Sequence, residues 1–222
     1  MNLLKIIVSK FIKPFIIWYL KKPRNYNYDG FKLIINPGVF HPRFFFSTKY
    51  FYSFINKLDL NNKECIEIGS GSGLLSLLMG KKKGCVTTID ISNEAIENTK
   101  LNYKLNKKLL PNNFKIIKSN LFENLQDVVY DVIIINPPYF FKEPLTSSQY
   151  AWYCGKDGEY FVKLFYQLPK YIHPTTLIYM VLADNCNIFK ITSIAKKYNC
   201  NFTVVESRRI FWETNYIYQL NY

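Results

Sequence analysis

Asn136-Pro137-Pro138-Tyr139 closes an apolar run, residues 132–135, and its parts suit a planar nitrogen that carries hydrogens. Asn136 offers a side-chain carbonyl and Pro137 a peptide carbonyl. Neither proline has an N–H, so the turn holds more acceptors than donors. Pro137 also biases Asn136 toward an extended conformation at a strand end. An NH2 group set there has both hydrogens bound, and Tyr139 supplies a flat face on which a planar amide or nucleobase can stack. Taken alone, the tetrapeptide is equally an ordinary turn after a buried strand.

The upstream half of the chain shifts that balance. Residues 64–70, Glu-Cys-Ile-Glu-Ile-Gly-Ser, read as a short strand that runs into Gly69, Gly71 and Gly73, and residues 73–79 then read as a helix start. That order is the nucleotide-binding strand, turn and helix of a doubly wound sheet. The spacing G-x-G-x-G fits a dinucleotide pyrophosphate less well than G-x-G-x-x-G does. Glu67 argues further against phosphate, because a carboxylate there repels an anion and favours the cationic amino-acid end of S-adenosylmethionine. Residues 85–90 are β-rich and end in Asp90, about 20 residues beyond Gly69, where a ribose-binding acid belongs. Loop, acid and turn, in this order, point to methyl transfer onto an amino group.

These residues need a layered α/β scaffold to bring them together. Strands are expected over residues 64–69, 85–90, 114–119, 130–136 and 176–183, with helical patterns at 160–168 and 188–198. Two final β-rich runs, 202–206 and 215–220, suit antiparallel pairing at the sheet edge. Asp29-Gly30 and Pro37-Gly38 punctuate a hairpin or extended entry over residues 28–36, and the apolar stretch 44–55 is a helix that covers the glycine loop. The expected fold is therefore α/β and Rossmann-like, mostly parallel with one antiparallel strand near the C-terminus.

With 222 residues, the chain suits one such domain, residues 29–222, plus an appendage, and 49% hydrophobic content argues against wholesale disorder. The five cysteines form no C-x-x-C pair, and the two histidines, His41 and His173, join no cysteine cluster. Reduced thiols, no metal site and a cytoplasmic location are the expectation. The net charge of +13 invites a nucleic-acid partner. A chain rich in Lys, Asn, Ile, Tyr and Phe is also what AT-rich coding produces.

The charge is uneven. Residues 1–28 hold Lys5, Lys10, Lys13, Lys21, Lys22 and Arg24 and no acid. Leu4, Val8, Phe11, Phe15 and Trp18 fall near one helical face and Asn2, Lys5, Ser9 and Lys13 near another, with Pro14 as a break. The apolar run 15–20 is too short to span a bilayer, so no stable membrane insertion is expected. Docking on the domain, contact with RNA and contact with an anionic membrane are the three roles open to this arm, and docking is favoured, because amphipathic helices more often cover a core.

Over residues 28–220 the chain resembles the HemK-type release factor glutamine methyltransferases of the class I S-adenosylmethionine-dependent superfamily. Residues 67–73 resemble the family's cofactor loop, Asp90-Ile91 its ribose and adenine position, and residues 136–139 its substrate-amide motif. Residues 151–158, Ala-Trp-Tyr-Cys-Gly-Lys-Asp-Gly, resemble a stretch of the short eukaryotic and archaeal members, which work with a small activating partner. Residues 179–182 resemble their next strand. The resemblance implies Glu67, Gly69, Gly71, Gly73, Asp90, Ile91, Asn120 and Asn136 at S-adenosylmethionine, with Asn136, Pro137, Pro138 and Tyr139 at the acceptor. Arg43 joins the acceptor side through Pro42-Arg43. Three departures stand out: Asn120 replaces an expected Asp, the family's Pro-Arg-Pro-Glu-Thr is here Pro42-Arg43-Phe44-Phe45-Phe46-Ser47-Thr48, and the helical domain that precedes the fold in bacterial members has only the basic arm in its place.

The acceptor stays open at this level. A glutamine amide of a release factor and the amino group of adenine in RNA or DNA are both planar NH2 groups of low nucleophilicity. Residues 151–158 favour the protein and the charge favours nucleic acid; a cofactor-binding module without catalysis is the third reading. The arm has a direct test. If it docks, deleting residues 2–24 lowers the melting temperature and exposes apolar surface. An unchanged melting temperature contradicts docking, and a flattened salt dependence of RNA binding would instead assign the arm to phosphate contacts.

Overall fold

The computed structural model describes residues 18–44, 46–110, 113–210 and 213–222. The amphipathic pattern of residues 1–17 lies outside them. Nine strands and five α-helices are named below. An antiparallel hairpin, β1 (Arg24–Tyr28) and β2 (Phe31–Ile35), comes first. Its turn is made by Asp29 and Gly30, both at positive φ, as a tight hairpin turn requires. Residues 24–28, read from the sequence as the end of the arm, are thus the first strand of the folded unit. Helix α1 (Phe46–Ile55) follows and packs on α2 (Leu74–Lys81) and on β7 (Ile172–Ala183).

The main sheet has seven strands in the order β5-β4-β3-β6-β7-β9-β8. They are β3 (Glu64–Ile68), β4 (Cys85–Asp90), β5 (Phe114–Lys118), β6 (Tyr130–Ile135), β7 (Ile172–Ala183), β8 (Asn201–Ile210) and β9 (Glu213–Asn221). The first five pair in parallel, whereas β9 lies antiparallel between β7 and β8. This is the expected Rossmann-like sheet with one reversed strand. Helices α2 (Leu74–Lys81), α3 (Asn93–Asn106), α4 (Glu159–Gln167) and α5 (Ile188–Lys196) cover its faces.

Buried on both faces, the central strands read as unbroken apolar runs. Period-two alternation then assigns each side chain to one of two cores. Val132 and Ile134 of β6 join the hairpin, α1 and α2, while Ile133 and Ile135 join α4 and α5. Cys65 of β3 points with the first group, and Ile66 and Ile68 with the second. Glu67 shares the face of Cys65 and so points toward α2.

β7 begins at Ile172, earlier than the expected residue 176. Ile172 pairs with Tyr130 across an irregularity between Tyr130 and Val132, and Thr176 Oγ1 donates to Tyr130 O at 2.7 Å. The run His173-Pro174-Thr175-Thr176 looks like a turn in sequence because it is polar and holds a proline, yet the Thr176 hydroxyl and the His173 ring, 3.2 Å from Asp131 Oδ1, both bond to the bulge.

The α4 face is a stack of aromatics. Phe161 is fully buried, with its ring 6.0 Å from Phe165 and 6.4 Å from Phe141. Phe161→Ala should cost about 3 to 5 kcal/mol of stability in urea denaturation. A loss below about 1 kcal/mol would show that this face collapses around the deletion.

Candidate functional site

β3 and β6 are the two strands from which the sheet winds outward in opposite directions, and ligands of open α/β sheets bind at the carboxyl ends of such a pair. Ile68 is in register with Ile135, so Gly69 and Asn136, far apart in sequence, start their turns side by side. A Cβ at Gly69 would lie 3.9 Å from Asn136 O. A cavity of about 350 Å³ opens there.

Its floor is the glycine loop. Gly69 N and Ser70 N both donate to Ile89 O at 2.9 Å, which ties the loop to β4. Gly71 N donates to Asp90 Oδ2 at 3.0 Å and Ser92 N to Asp90 Oδ1 at 2.9 Å. Asp90 therefore shapes the loop as well as lining the cavity. Burial raises its carboxyl above the usual range, against the lowering pull of these backbone donors. Gly73 serves the helix instead. With φ of 80°, it caps α2, and an added Cβ would meet Thr99 Cγ2 at 3.0 Å. It lies outside the cavity wall.

Glu67 lies on that wall and is buried. One of its oxygens accepts from Ser76 N at 2.9 Å and from Ser76 Oγ. Among the described residues no cation pairs with it. Burial, with Asp90 adding to the effect, pushes its carboxyl up to about 8 despite the Ser76 bonds. Below about pH 8 a carboxyl in this state stays largely neutral until a cation arrives to favour its charged form.

Asn136, Pro137, Pro138 and Tyr139 line the same cavity beside the glycine loop. The side-chain Nδ2 of Asn136 donates to Thr48 Oγ1 on α1 at 3.4 Å. Among the described residues nothing donates to its Oδ1, so the amide oxygen is the end left for a ligand. Tyr139 packs edge-on to Phe140 at 4.8 Å, and burial raises its hydroxyl pKa. Ile91 and Asn120 also line the cavity. Arg43 does not: it is exposed, with its backbone N–H donating to His41 Nδ1 at 3.1 Å, while its neighbour Pro42 reaches the wall.

Several wall residues were not assigned a role from the sequence. Phe40 packs on Trp152 at 5.0 Å. Phe140 N donates to Trp152 O and Cys154 N to Phe140 O, each at 3.0 Å, and this ladder folds residues 151–155 over the cavity. Tyr160 follows on α4, its hydroxyl pKa raised by burial and by Asp90. The helical spacing of Tyr160 hides it among core aromatics, and Phe40 stands in a stretch with no periodic pattern. Thr48 lies within the segment Pro42-Arg43-Phe44-Phe45-Phe46-Ser47-Thr48, the one signal that pointed near it.

The profile of the family described as methyltransferase small domain matches residues 30–152. The chain is similar to a protein assigned as an N5-glutamine methyltransferase in Methanocaldococcus jannaschii. The two are 33% identical over 153 residues, which cover 65% of this chain and 72% of that protein. The release factor glutamine methyltransferase of Fusobacterium nucleatum is 30% identical over 181 residues, 71% of this chain and 50% of its own length, so the chain spans about half of that enzyme. A solved structure of the methyltransferase SMU.776 with SAH superposes at a TM-score of 0.64 and 14% identity, covering 89% of this chain and 56% of that one.

Glu67 makes a stability prediction that needs no ligand. Its carboxyl, raised to about 8, stays protonated in the folded chain where the unfolded chain has already ionised. Its contribution is complete at low pH and is lost as pH rises through about 8. Glu67→Gln removes this titration. Urea denaturation should therefore show wild type losing stability relative to the variant between about pH 5 and about pH 9. Parallel curves would contradict a raised carboxyl.

Proposed function

The chain belongs to the methyltransferase small domain family, and from that premise we propose that it moves the methyl group of S-adenosylmethionine to the side-chain amide nitrogen of a glutamine in a translation protein, a peptide chain release factor first among them. The observation that carries this reading is the cavity whose wall holds an acceptor-rich turn, the glycine loop and a buried carboxyl that no cation pairs with among the described residues. The residues fit the donor molecule. Glu67 meets its ammonium group, the backbone at Gly69 and Gly71 allows close approach, Asp90 accepts from ribose hydroxyls, and Ile91 and Asn120 flank the base.

When bound, S-adenosylmethionine supplies an electrophilic methyl on a sulfonium that departs as a neutral thioether. The chain supplies position and acceptors. Thr48 takes the donor end of the Asn136 amide and leaves Oδ1 for one N–H of the acceptor. The Pro137 carbonyl takes the other N–H. With both hydrogens held, the nitrogen lone pair is turned to the methyl carbon, and the two carbonyls face the positive charge that grows on nitrogen as the N–C bond forms. Once that charge has developed the nitrogen releases its proton to solvent water, so no strong base is required beforehand. Tyr139 supplies the face against which the amide plane rests.

Glutamine is favoured over adenine by the glutamine methyltransferases among the similar proteins, reported above. Under this reading the partner is a release factor, with the basic arm docked on the domain and adding a secondary electrostatic contact at the ribosome where release factors act, and a small activating protein completing the assembly. Incubation with methyl-labelled S-adenosylmethionine and either a release factor or RNA tests it. Digestion should give labelled N-methylglutamine from the protein, and Asn136→Ala should cut turnover roughly a hundredfold with donor affinity nearly intact. Label recovered as methyladenine instead would overturn the glutamine assignment. Equal losses of turnover and donor affinity would mean that Asn136 only holds the turn together.

A further inference from the structure

The glycine loop is gripped from one side by polar side chains of α3. Asn98, Asn102 and Asn106 stand one turn apart, so they share a face, and all are buried with Thr99 beside them. Each uses its Oδ1 on the free edge of β2 and the residue after it. Asn98 Oδ1 accepts from Asn36 N at 2.7 Å, Asn102 Oδ1 from Ile34 N at 2.8 Å and Asn106 Oδ1 from Lys32 N at 3.0 Å. Four helical residues rise about 6 Å and two strand residues between about 6 and 7 Å, so the rungs stay in register. The asparagines replace the strand that this edge lacks.

The donor ends differ. Asn98 Nδ2 returns to β2 at Ile34 O, 2.9 Å away, and Asn106 Nδ2 to Lys32 O at 2.8 Å and Asn102 O at 2.7 Å. Asn102 Nδ2 instead donates to Ser72 O at 2.9 Å, inside the glycine loop. Thr99 Oγ1 joins it, 3.1 Å from Ser70 Oγ and 3.3 Å from Gly71 O. Gly69, Gly71 and Gly73 have φ of 87°, 49° and 80°. Glycines leave such a loop many alternatives, and binding to an unfixed loop must first pay for ordering it.

We propose that Asn102 is a positioning residue for the methyl donor: its single amide locks the glycine loop to the β1–β2 hairpin, and so holds the loop in its binding shape against the 38–42 segment that closes the cavity over it. Phe40 Cβ lies 3.9 Å from where a Cβ at Gly71 would stand, so loop and covering segment are in contact range. This rests on the S-adenosylmethionine reading above.

Asn102→Asp separates the two bonds. It keeps the acceptor for Ile34 N and sets a carboxylate oxygen against Ser72 O in place of the donor. Asn106→Asp makes the same chemical change one turn away, where no bond reaches the loop. Titration with S-adenosylhomocysteine should show affinity falling on the order of tenfold in Asn102→Asp and holding in Asn106→Asp. In turnover, the loss should enter the donor KM while kcat at saturating donor stays close to wild type. Thr99→Val, which keeps the shape and drops both loop bonds, should weaken donor binding too and decides the matter if Asn102→Asp does not fold. Equal affinity losses in Asn102→Asp and Asn106→Asp, or undiminished affinity in Asn102→Asp and Thr99→Val, would overturn the proposal while leaving the donor assignment standing. A wild-type chain that does not bind S-adenosylhomocysteine would overturn both.

Discussion

A carboxyl buried with no cation beside it among the described residues is the constraint around which this molecule is arranged. Glu67 points from a central strand toward α2, where Ser76 answers one of its oxygens, and burial drives its carboxyl up to about 8. A group in this position is costly to charge and inexpensive to keep neutral. Much of the surrounding structure can be understood as holding it at the wall of a cavity where an incoming ammonium would change its state. Asp90 stands in the same cavity with its own carboxyl raised, and its two oxygens already order the loop through Gly71 N and Ser92 N.

The fold brings the acceptor turn to this place by topology. Because the sheet winds outward from β3 and β6, the two turns at their carboxyl ends have no connecting layer above them, and the crevice between them stays open. The covering pieces come from elsewhere: Thr48 from α1, Phe40 from the segment after the hairpin, and residues 151–155 through the backbone ladder with Phe140. Glycine loop, acid and Asn-Pro-Pro-Tyr turn are thus separate in sequence and contiguous in space, and α3 adds a polar grip beneath the loop.

Legibility in the sequence followed the physics of burial. Central parallel strands are apolar on both faces, so β3, β4 and β6 were readable almost to the residue, and the glycines and prolines marked where they stop. Helix α3 escaped because its buried face carries Asn98, Thr99, Asn102 and Asn106, and a search for apolar periodicity discards such residues as surface. The early start of β7 was hidden by the polar run 173–176, in which the Thr176 hydroxyl and the His173 ring serve a bulge. Arg43 was placed at the acceptor by a two-residue likeness, yet its side chain is exposed and outside the cavity wall. Gly73 was assigned to close approach to a ligand; its place is the left-handed cap of α2 against Thr99. Thr48 and Phe40 act through tertiary proximity alone, which no local pattern records.

The most direct test of the proposal that this cavity takes the cationic end of a methyl donor is the proton balance of binding. Calorimetric titration with S-adenosylhomocysteine at pH 7, repeated in buffers of different ionisation enthalpy, counts protons exchanged on binding. The expected result is net release approaching one proton, as Glu67 ionises beside the ligand's ammonium group, with the release fading above about pH 9 and absent in Glu67→Gln. Binding with no proton release at pH 7, or identical proton counts in wild type and Glu67→Gln, would contradict it.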